Sequence, residues 1–290
     1  MQKAITMNGQ LSKPLVSVCI PTCQGAAFIH QAVESVLMQT FTDFELIIVD
    51  DTPVDGSGSV ADSYSDPRIR YLRNQQNPGV EGNWNRCLAE AQGRYFKLLP
   101  HDDLLAPDCL EQQVAALEDD RDEQIALVFS ARTIIDAAGR SIMTRNYPRC
   151  QGGRINSQSV LQSCLRRGTN LIGEPGGVLF RKLLADETGG FDACIGYVVD
   201  LDYWFRLLLR GDAFYLPEKL VSFRISGSSW SVAIGNRQSR DFHRFIDRVA
   251  DNPSYKTVFA DIWAGRISSW IQNLLRLSVY TFLKVRSVQR

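Results

Sequence analysis

The sequence has neither of the glycine-rich phosphate cradles common in nucleotide-binding α/β proteins. No G-x-G-x-x-G follows its first apolar run, and no G-x-x-x-x-G-K-[ST] occurs anywhere. A dinucleotide fingerprint and a P-loop are thereby excluded, so a bound diphosphate would have to be held by other means, a cation first among them. An excess of one charge is also missing: Lys plus Arg and Asp plus Glu stand at 32 each, so no global field draws the chain to nucleic acid. Paired cysteines are absent. The seven present (Cys19, Cys23, Cys87, Cys109, Cys150, Cys164, Cys194) are odd in number and scattered, several of them inside apolar runs. That is neither a disulfide framework nor a zinc cluster, and it reads as reduced thiols in a cytoplasmic protein. No uninterrupted apolar stretch reaches the roughly 18 to 20 residues of a membrane span, and the first twenty residues hold no signal-peptide core. The expectation is a chain that is not secreted and does not cross a bilayer.

What is present is a core: 44% of the 290 residues are hydrophobic, enough for one large domain or a domain with an appendage. Val16 to Ile20 reads as a strand. "PTCQG" turns the chain, and Phe28, Ile29, Ala32, Val33, Val36 and Leu37 recur with helical spacing. Phe44 to Val49, "FELIIV", is continuously apolar, as expected of a strand covered on both faces. Ile69 to Leu72 is a shorter strand, Asn83 to Ala91 a helix closed by Gly93, and Tyr95 to Leu99 the next strand. Strands alternating with helices predict a mostly parallel, Rossmann-like α/β sheet flanked by helices.

Two of these strands finish in Asp-Asp, at Asp50-Asp51 and at Asp102-Asp103 in "KLLPHDDL". Ligands of open parallel sheets sit beyond the carboxyl ends of the strands, and neighbouring strands lie about 4.8 Å apart, so such carboxylates can converge on one cleft. Oxygen-only ligands suit a hard cation such as Mg2+ or Mn2+. The competing explanation is helix capping, with Asp108 as the cap of "DCLEQQVAAL".

Further on, Ile125 to Ser130 is a strand, "RTIIDAAGR" a hairpin turning at Ala138-Gly139, and "NLIGEPGGVLF" a flexible loop leading into a strand. In "DLDYWFRLLLRG" a helical face of Tyr203, Trp204, Leu207 and Leu208 is ended by Gly211. Asp200 and Asp202 open that helix about 200° apart, so they cannot face one cleft. Asp202 stands four before Arg206 and has an ion-pair role. Asp200 has no such explanation, and the helix start is expected to keep it ionised.

Four stretches, taken in order, resemble the inverting family 2 glycosyltransferases of GT-A fold: "VSVCIPTCQGAAFIHQAVESVLMQTFTDFELIIVDDTPVDGS", "NPGVEGNWNRCLAEAQGRYFKLLPHDDLLAPDCL", "GGVLFRK" with "TGGFD", and "VVDLDYWFRLLLRGDAFYLPEKLVSFRISGSSWS". Together they cover about Leu15 to Ser231. The resemblance implies a GT-A catalytic domain over 1–235, with a nucleotide-sugar half near 14–105 and an acceptor half near 106–235, followed by a helical extension over 236–290. It implies a nucleotide-diphospho-sugar donor, a UDP- or dTDP-sugar, and a glycan or glycolipid acceptor in surface polysaccharide or glycolipid synthesis. Carried across residue by residue, Pro21, Thr22 and Gln24 line the nucleotide pocket and Asp51 contacts the base or ribose. Asp102 and Asp103 meet the ribose and a Mn2+ or Mg2+ ion on the diphosphate. Gly173, Glu174 and Pro175 border the acceptor, and Asp200 is the catalytic base. Three positions depart from the family pattern: Pro100 where an acid is common, Gln24 for asparagine, and Val199 where a glutamate often precedes the base. The first leaves open which of Asp102 and Asp103 ligates the ion. His101 is expected at the surface.

From Arg237 onward ten basic residues face four acidic ones, interleaved with Ile262, Trp263, Ile267, Trp270, Ile271, Leu274, Leu275, Leu277, Phe282 and Leu283. Such a helix suits either peripheral contact at the inner face of the cell membrane through 262–290 or packing on the catalytic domain or a second copy in a homodimer. Two other functions share the sheet and the metal: a sugar-phosphate nucleotidyltransferase, disfavoured by the missing Gly-rich basic loop, and a sugar-nucleotide-binding assembly subunit without turnover.

Overall fold

The computed structural model describes residues 13–51, 60, 63–226 and 237–288, with side chains placed as far as residue 276. Residues 52–57 and 227–231 of the stretches quoted above, and the side chains of Leu277, Phe282 and Leu283, lie outside the described residues. Within them the chain builds one twisted sheet between layers of helix.

Strand β1 (Val16–Thr22) pairs in parallel with β2 (Phe44–Asp50) and with β4 (Tyr95–Leu98), and β2 pairs in parallel with β3 (Ile69–Arg73). β9 (Val178–Arg181) is inserted antiparallel between β4 and the long β6 (Ile125–Asp136). β10 (Asp212–Ile225) runs parallel to β6, and the two-residue β5 (Leu104–Leu105) lies antiparallel against β10. Along β3-β2-β1-β4-β9-β6-β10-β5, only β9 and β5 oppose the other six strands, so the sheet is mostly parallel. β7 (Ser141–Arg145) forms the expected hairpin with β6, and β8 (Gly153–Ile155) pairs with β10.

Among the described residues there are eight helices, α1 (Ile29–Leu37), α2 (Gly79–Glu90), α3 (Cys109–Glu118), α4 (Ser157–Arg167), α5 (Lys182–Thr188), α6 (Val199–Leu207), α7 (Arg237–Asp251) and α8 (Phe259–Val288), the last packed on α4 and α7. Alternate residues of a strand point to opposite faces. Val16, Val18 and Ile20 therefore pack with Val33 and Val36 of α1, whereas Cys19, Ile47 and Val49 join Cys87 of α2 and Leu161 of α4 on the other side. Two covered faces explain why β1 and β2 are buried at every position.

Local details differ from expectation. α2 begins at Gly79, where Asn77 Oδ1 accepts from the Gly79 N–H at 2.8 Å, and it ends with Ala91 as C-cap in extended backbone. Gly93 is not the cap. Its N–H donates to Ser17 Oγ at 2.8 Å, and a Cβ there would fall 2.6 Å from the Ser17 nitrogen, so close approach to β1 demands glycine. Asp108 occupies the N-cap position of α3, but its carboxylate accepts from Gln112 Nε2 at 2.7 Å instead of capping the amides. α6 closes on Leu208, three residues before Gly211.

Candidate active site

The residues expected to meet the donor lie where β1 and β2 end together. The Asp51 N–H donates to the Thr22 carbonyl at 2.9 Å, and Asn83 Nδ2 of α2 donates to the same oxygen at 3.3 Å. Asp50 and Asp51 diverge, as consecutive strand residues must. Asp50 is fully buried and accepts from Tyr71 Oη at 2.6 Å, while the Asp51 carboxylate takes the Asn74 side-chain amide. The four strand-end aspartates therefore do not gather, and among the described residues no three His, Cys, Asp or Glu side chains converge as a metal cluster. Burial raises the Asp51 carboxyl above its ordinary value, against the lowering effect of Asn74.

Pro21 and Thr22 are buried, and Gln24 is exposed with φ +54°, which turns the loop into Gly25. A Cβ at Gly25 would lie 2.1 Å from Thr22 Oγ1 and 2.8 Å from the His101 ring. His101 is thus half-buried against this loop and not on the open surface expected of it.

Beyond β4 the chain turns through Pro100, whose carbonyl accepts from the Asp103 N–H at 3.1 Å. Arg224, near the end of β10 and buried, fastens this turn. Its N–H donates to Asp103 Oδ1 at 3.0 Å and its Nε to the Asp102 carbonyl at 2.8 Å; Nη2 reaches Gln31 Oε1 at 2.8 Å and Nη1 the Ala137 carbonyl at 3.2 Å. The guanidinium lies 4.6 Å from the Phe28 ring centroid. Asp103 Oδ2 is buried without a partner, and burial, followed by Asp102 and Glu174, pushes its carboxyl well up.

The segment after α4, where the sequence reading expects the acceptor, is built around Asn170. Asn170 Oδ1 accepts from the Gly173 N–H at 2.9 Å, and its Nδ2 donates both to the Gly173 carbonyl at 3.0 Å and to Asp200 Oδ2 at 2.9 Å. Trp204 Nε1 donates to the same carbonyl at 3.2 Å. Gly173 sits at φ +114°, and a Cβ there would meet Arg132 Nη1 at 2.9 Å. Arg132 Nε stands 2.5 Å from Glu174 Oε2, a charge contact in which neither atom finds a well-aligned hydrogen bond. Pro175–Gly177 form a 3-10 turn, and a Cβ at Gly176 would lie 3.7 Å from Asp103 Oδ2. The Gly173–Gly177 segment is therefore backed onto the Asp103 carboxyl.

Asp200 opens α6 and its carboxyl is pushed up to about 7, first by burial and then by Glu174, with the Leu201 N–H and Asn170 opposing. This corrects the expectation that the helix start holds it ionised: loss of solvent outweighs the dipole. Asp202 points away as expected, 2.9 Å from Arg206 Nε, and is also 3.1 Å from Arg248 of α7. Asn83 links Asp51 to the Thr22 carbonyl, Gly25 packs between Thr22 and His101, Gly176 lies against the Asp103 carboxyl, and the charge of Glu174 acts on both Asp103 and Asp200.

A family model for glycosyl transferase family 2 matches residues 17–181, more than half of the chain. The chain is a family 2 glycosyltransferase. An uncharacterized glycosyltransferase of Rickettsia typhi is 31% identical to it over 223 residues, 76% of this chain; the chain spans 66% of that relative's length. Among solved structures, Staphylococcus aureus TarS 1–349 in complex with UDP-GlcNAc has a TM-score of 0.65 at 15% identity, covering 81% of this chain and 65% of that one. The mannosyltransferase PcManGT of Pyrobaculum calidifontis, in complex with GDP-Man and Mn2+, has a TM-score of 0.59 at 16% identity, covering 96% and 81%. The fold of this glycosyltransferase is GT-A.

Four residues of the site escaped the sequence reading: Asn83, Asn170, Arg132 and Arg224. Buried side-chain atoms without hydrogen-bond partners lie in the same region: Thr22 Oγ1, Asn83 Oδ1 and Asp103 Oδ2. Native proteins leave few such atoms, and each marks a place where a bound group can complete the bonding.

Proposed function

We propose that the protein transfers a sugar, with inversion, from a nucleotide-diphospho-sugar to an acceptor hydroxyl in surface polysaccharide or glycolipid synthesis. Residues 1–235 form its catalytic domain, and Asp200 is the base. The observation that carries this reading is Asp200 itself, a half-buried carboxyl near pKa 7 held by Asn170 beside Gly173 and Glu174. A base is most effective when its pKa lies near the working pH.

In the proposed step the acceptor hydroxyl oxygen forms a bond to the anomeric carbon while its proton passes to Asp200. The bond from that carbon to the diphosphate oxygen breaks on the opposite face, and its electron pair leaves with the nucleoside diphosphate. Thr22, Gln24, Asp51 and the Pro21 wall hold the nucleotide, and Asn170 fixes the base. The nucleotide sugars bound by TarS and PcManGT support this donor class, a UDP- or dTDP-sugar being the leading choice.

A divalent cation fits the residues present. Asp103 Oδ2 is a buried, unpartnered hard-oxygen donor, Asp102 adjoins it, and one or two carboxylates plus substrate phosphates are a usual set for Mg2+. Bound by Asp103 and Asp102, Mn2+ or Mg2+ would compensate the charge of the departing diphosphate.

The test is to incubate the protein with Mn2+ and a panel of nucleotide sugars and to measure nucleoside diphosphate release, with Asp200→Asn in parallel. Slow donor hydrolysis by the wild type, lost in the variant with donor affinity kept, supports the proposal. Pyrophosphate exchange, or binding without turnover, sinks it.

A further inference from the structure

α8 is amphipathic the wrong way round for a helix packed on a protein. Its face toward α4 and α7 buries Asp261, Ser269 and Asn273 and anchors Arg276, whose Nη1 donates to Gln238 Oε1 at 2.8 Å and to Tyr197 Oη. The opposite face shows Trp263, Ile267, Trp270, Ile271, Leu274 and Leu275 at 46 to 59% exposure, with Phe259 at 74% at its start. At 100° per residue these positions span an arc of roughly 160° and a length of about 24 Å. An exposed, continuous apolar stripe of this kind marks a surface that another body covers.

Charge identifies the body. From Ile262 to Arg290 there is no acidic residue, while Arg266, Arg276, Lys284, Arg286 and Arg290 fall in the same stretch. Over 237–290 ten basic residues stand against four acidic ones, a net of +6 in a chain whose total is zero. Within the chain Arg266 pairs with Asp247 of α7 and Arg276 is held on the protein-facing side, and a second α8 would bring further basic residues to the remaining Lys284, Arg286 and Arg290 without an acid of its own beyond Asp261. Anionic headgroups supply the missing charge, the apolar stripe matches the headgroup–acyl boundary, and tryptophan prefers that boundary. Among the described residues no helix is long and apolar enough to cross a membrane, so the helix would lie on the surface.

We propose that the Phe259–Leu275 face of α8 lies in the headgroup region of an anionic bilayer. The anchor is tied to the acceptor side: Arg276 also donates to Thr169 Oγ1 at 3.4 Å, one residue before Asn170, and Tyr197 stands three before Asp200. The acceptor class that follows is a glycan or lipid alcohol carried by that same membrane. This last consequence rests on Asp200 as the base; the docking does not, so either can fail alone.

The experiment is co-sedimentation of the full chain with phosphatidylcholine vesicles, with and without phosphatidylglycerol, together with intrinsic tryptophan emission. The expected result is binding to the phosphatidylglycerol vesicles that weakens with added salt, and an emission shift to shorter wavelength. The double variant Trp263→Ser/Trp270→Ser should bind about tenfold less, from the apolar area lost, while keeping wild-type circular dichroism and donor hydrolysis in solution. Wild type that remains in the supernatant with both vesicles, or a double variant that binds as well as wild type, overturns the proposal. So does a dimer in light scattering that the double variant splits without any vesicle binding, because a second copy then covers the face.

Discussion

Asn170 Nδ2 donates to Asp200 Oδ2 at 2.9 Å while the rest of the same amide grips both backbone polar groups of Gly173. One side chain thus fixes the proposed base and the Gly173 backbone together. The bond favours the ionised carboxylate, so its loss should raise the Asp200 pKa further, by about one unit if the bond is worth about 1.5 kcal/mol. Asn170→Ala is expected to move the acidic limb of the pH–rate profile upward by that amount. The rate should fall about fivefold near pH 7 and largely recover near pH 9. A purely structural role would lower the plateau and leave the limb in place.

Asp200→Asn carries a paired prediction on rate and stability. Transfer should fall by roughly two to four orders of magnitude with donor affinity retained, the range expected for a lost general base. The Asp200 pKa is about 7 in the folded protein, above the ordinary 3.8, so its favourable contribution is complete below about pH 4 and is lost as pH rises through about 7. The variant escapes that loss. Because the residue keeps partial solvent contact, we discount the full linkage value to about 1–2 kcal/mol of extra stability at pH 8, with none at pH 3.5. Urea unfolding at the two pH values measures both.

The sheet was legible because its signal is local. "FELIIV" is apolar at every position because β2 is covered on both faces, and Asp202–Arg206 was readable from four-residue spacing alone. The ionisation of Asp200 was not readable. Its largest causes are burial and Glu174, 26 residues away on another segment, and neither shows in the helix start that the sequence displays. The convergence of Asp50 with Asp51 failed for a local reason that was available, the alternation of strand side chains. Asn83, Asn170 and Arg224 are single polar residues whose partners come from elsewhere in the chain; Arg224 and Asp103 stand 121 apart. Nothing in their neighbours announces such pairs.

Arg224 is the brace of the Asp102-Asp103 turn, and its removal should show in both stability and donor binding. Arg224→Met removes the donors to the part-buried carbonyls of Asp102 and Ala137 and frees Gln31, a change expected to cost about 1–3 kcal/mol. Arg224→Lys keeps the charge but not the planar fork, so it should recover part of the stability while the KM for donor stays raised. Denaturant midpoints beside donor titrations separate the two. A lysine variant with wild-type KM would mean that the fork does not set the turn.

Lys97 supplies the corresponding brace behind the acceptor loop. It is fully buried on β4 with no carboxylate among its bonded partners; its Nζ donates to the Gly176 carbonyl at 2.7 Å, to Gln113 Oε1 at 2.8 Å and to the Val178 carbonyl at 3.2 Å. Burial lowers its pKa, yet three acceptors need the three donors of the ammonium form, and a neutral amine has only two. Lys97→Met preserves the length and leaves those acceptors unpaired, at a cost of about 2–4 kcal/mol. Gly176 directly follows Gly173, Glu174 and Pro175, the proposed acceptor border, so the loosened turn should weaken acceptor use more than donor use. The expected result is an acceptor KM raised about tenfold, a loss of roughly 1.4 kcal/mol, with the donor KM nearly unchanged. Equal losses on both sides would reduce Lys97 to a general contributor to the core.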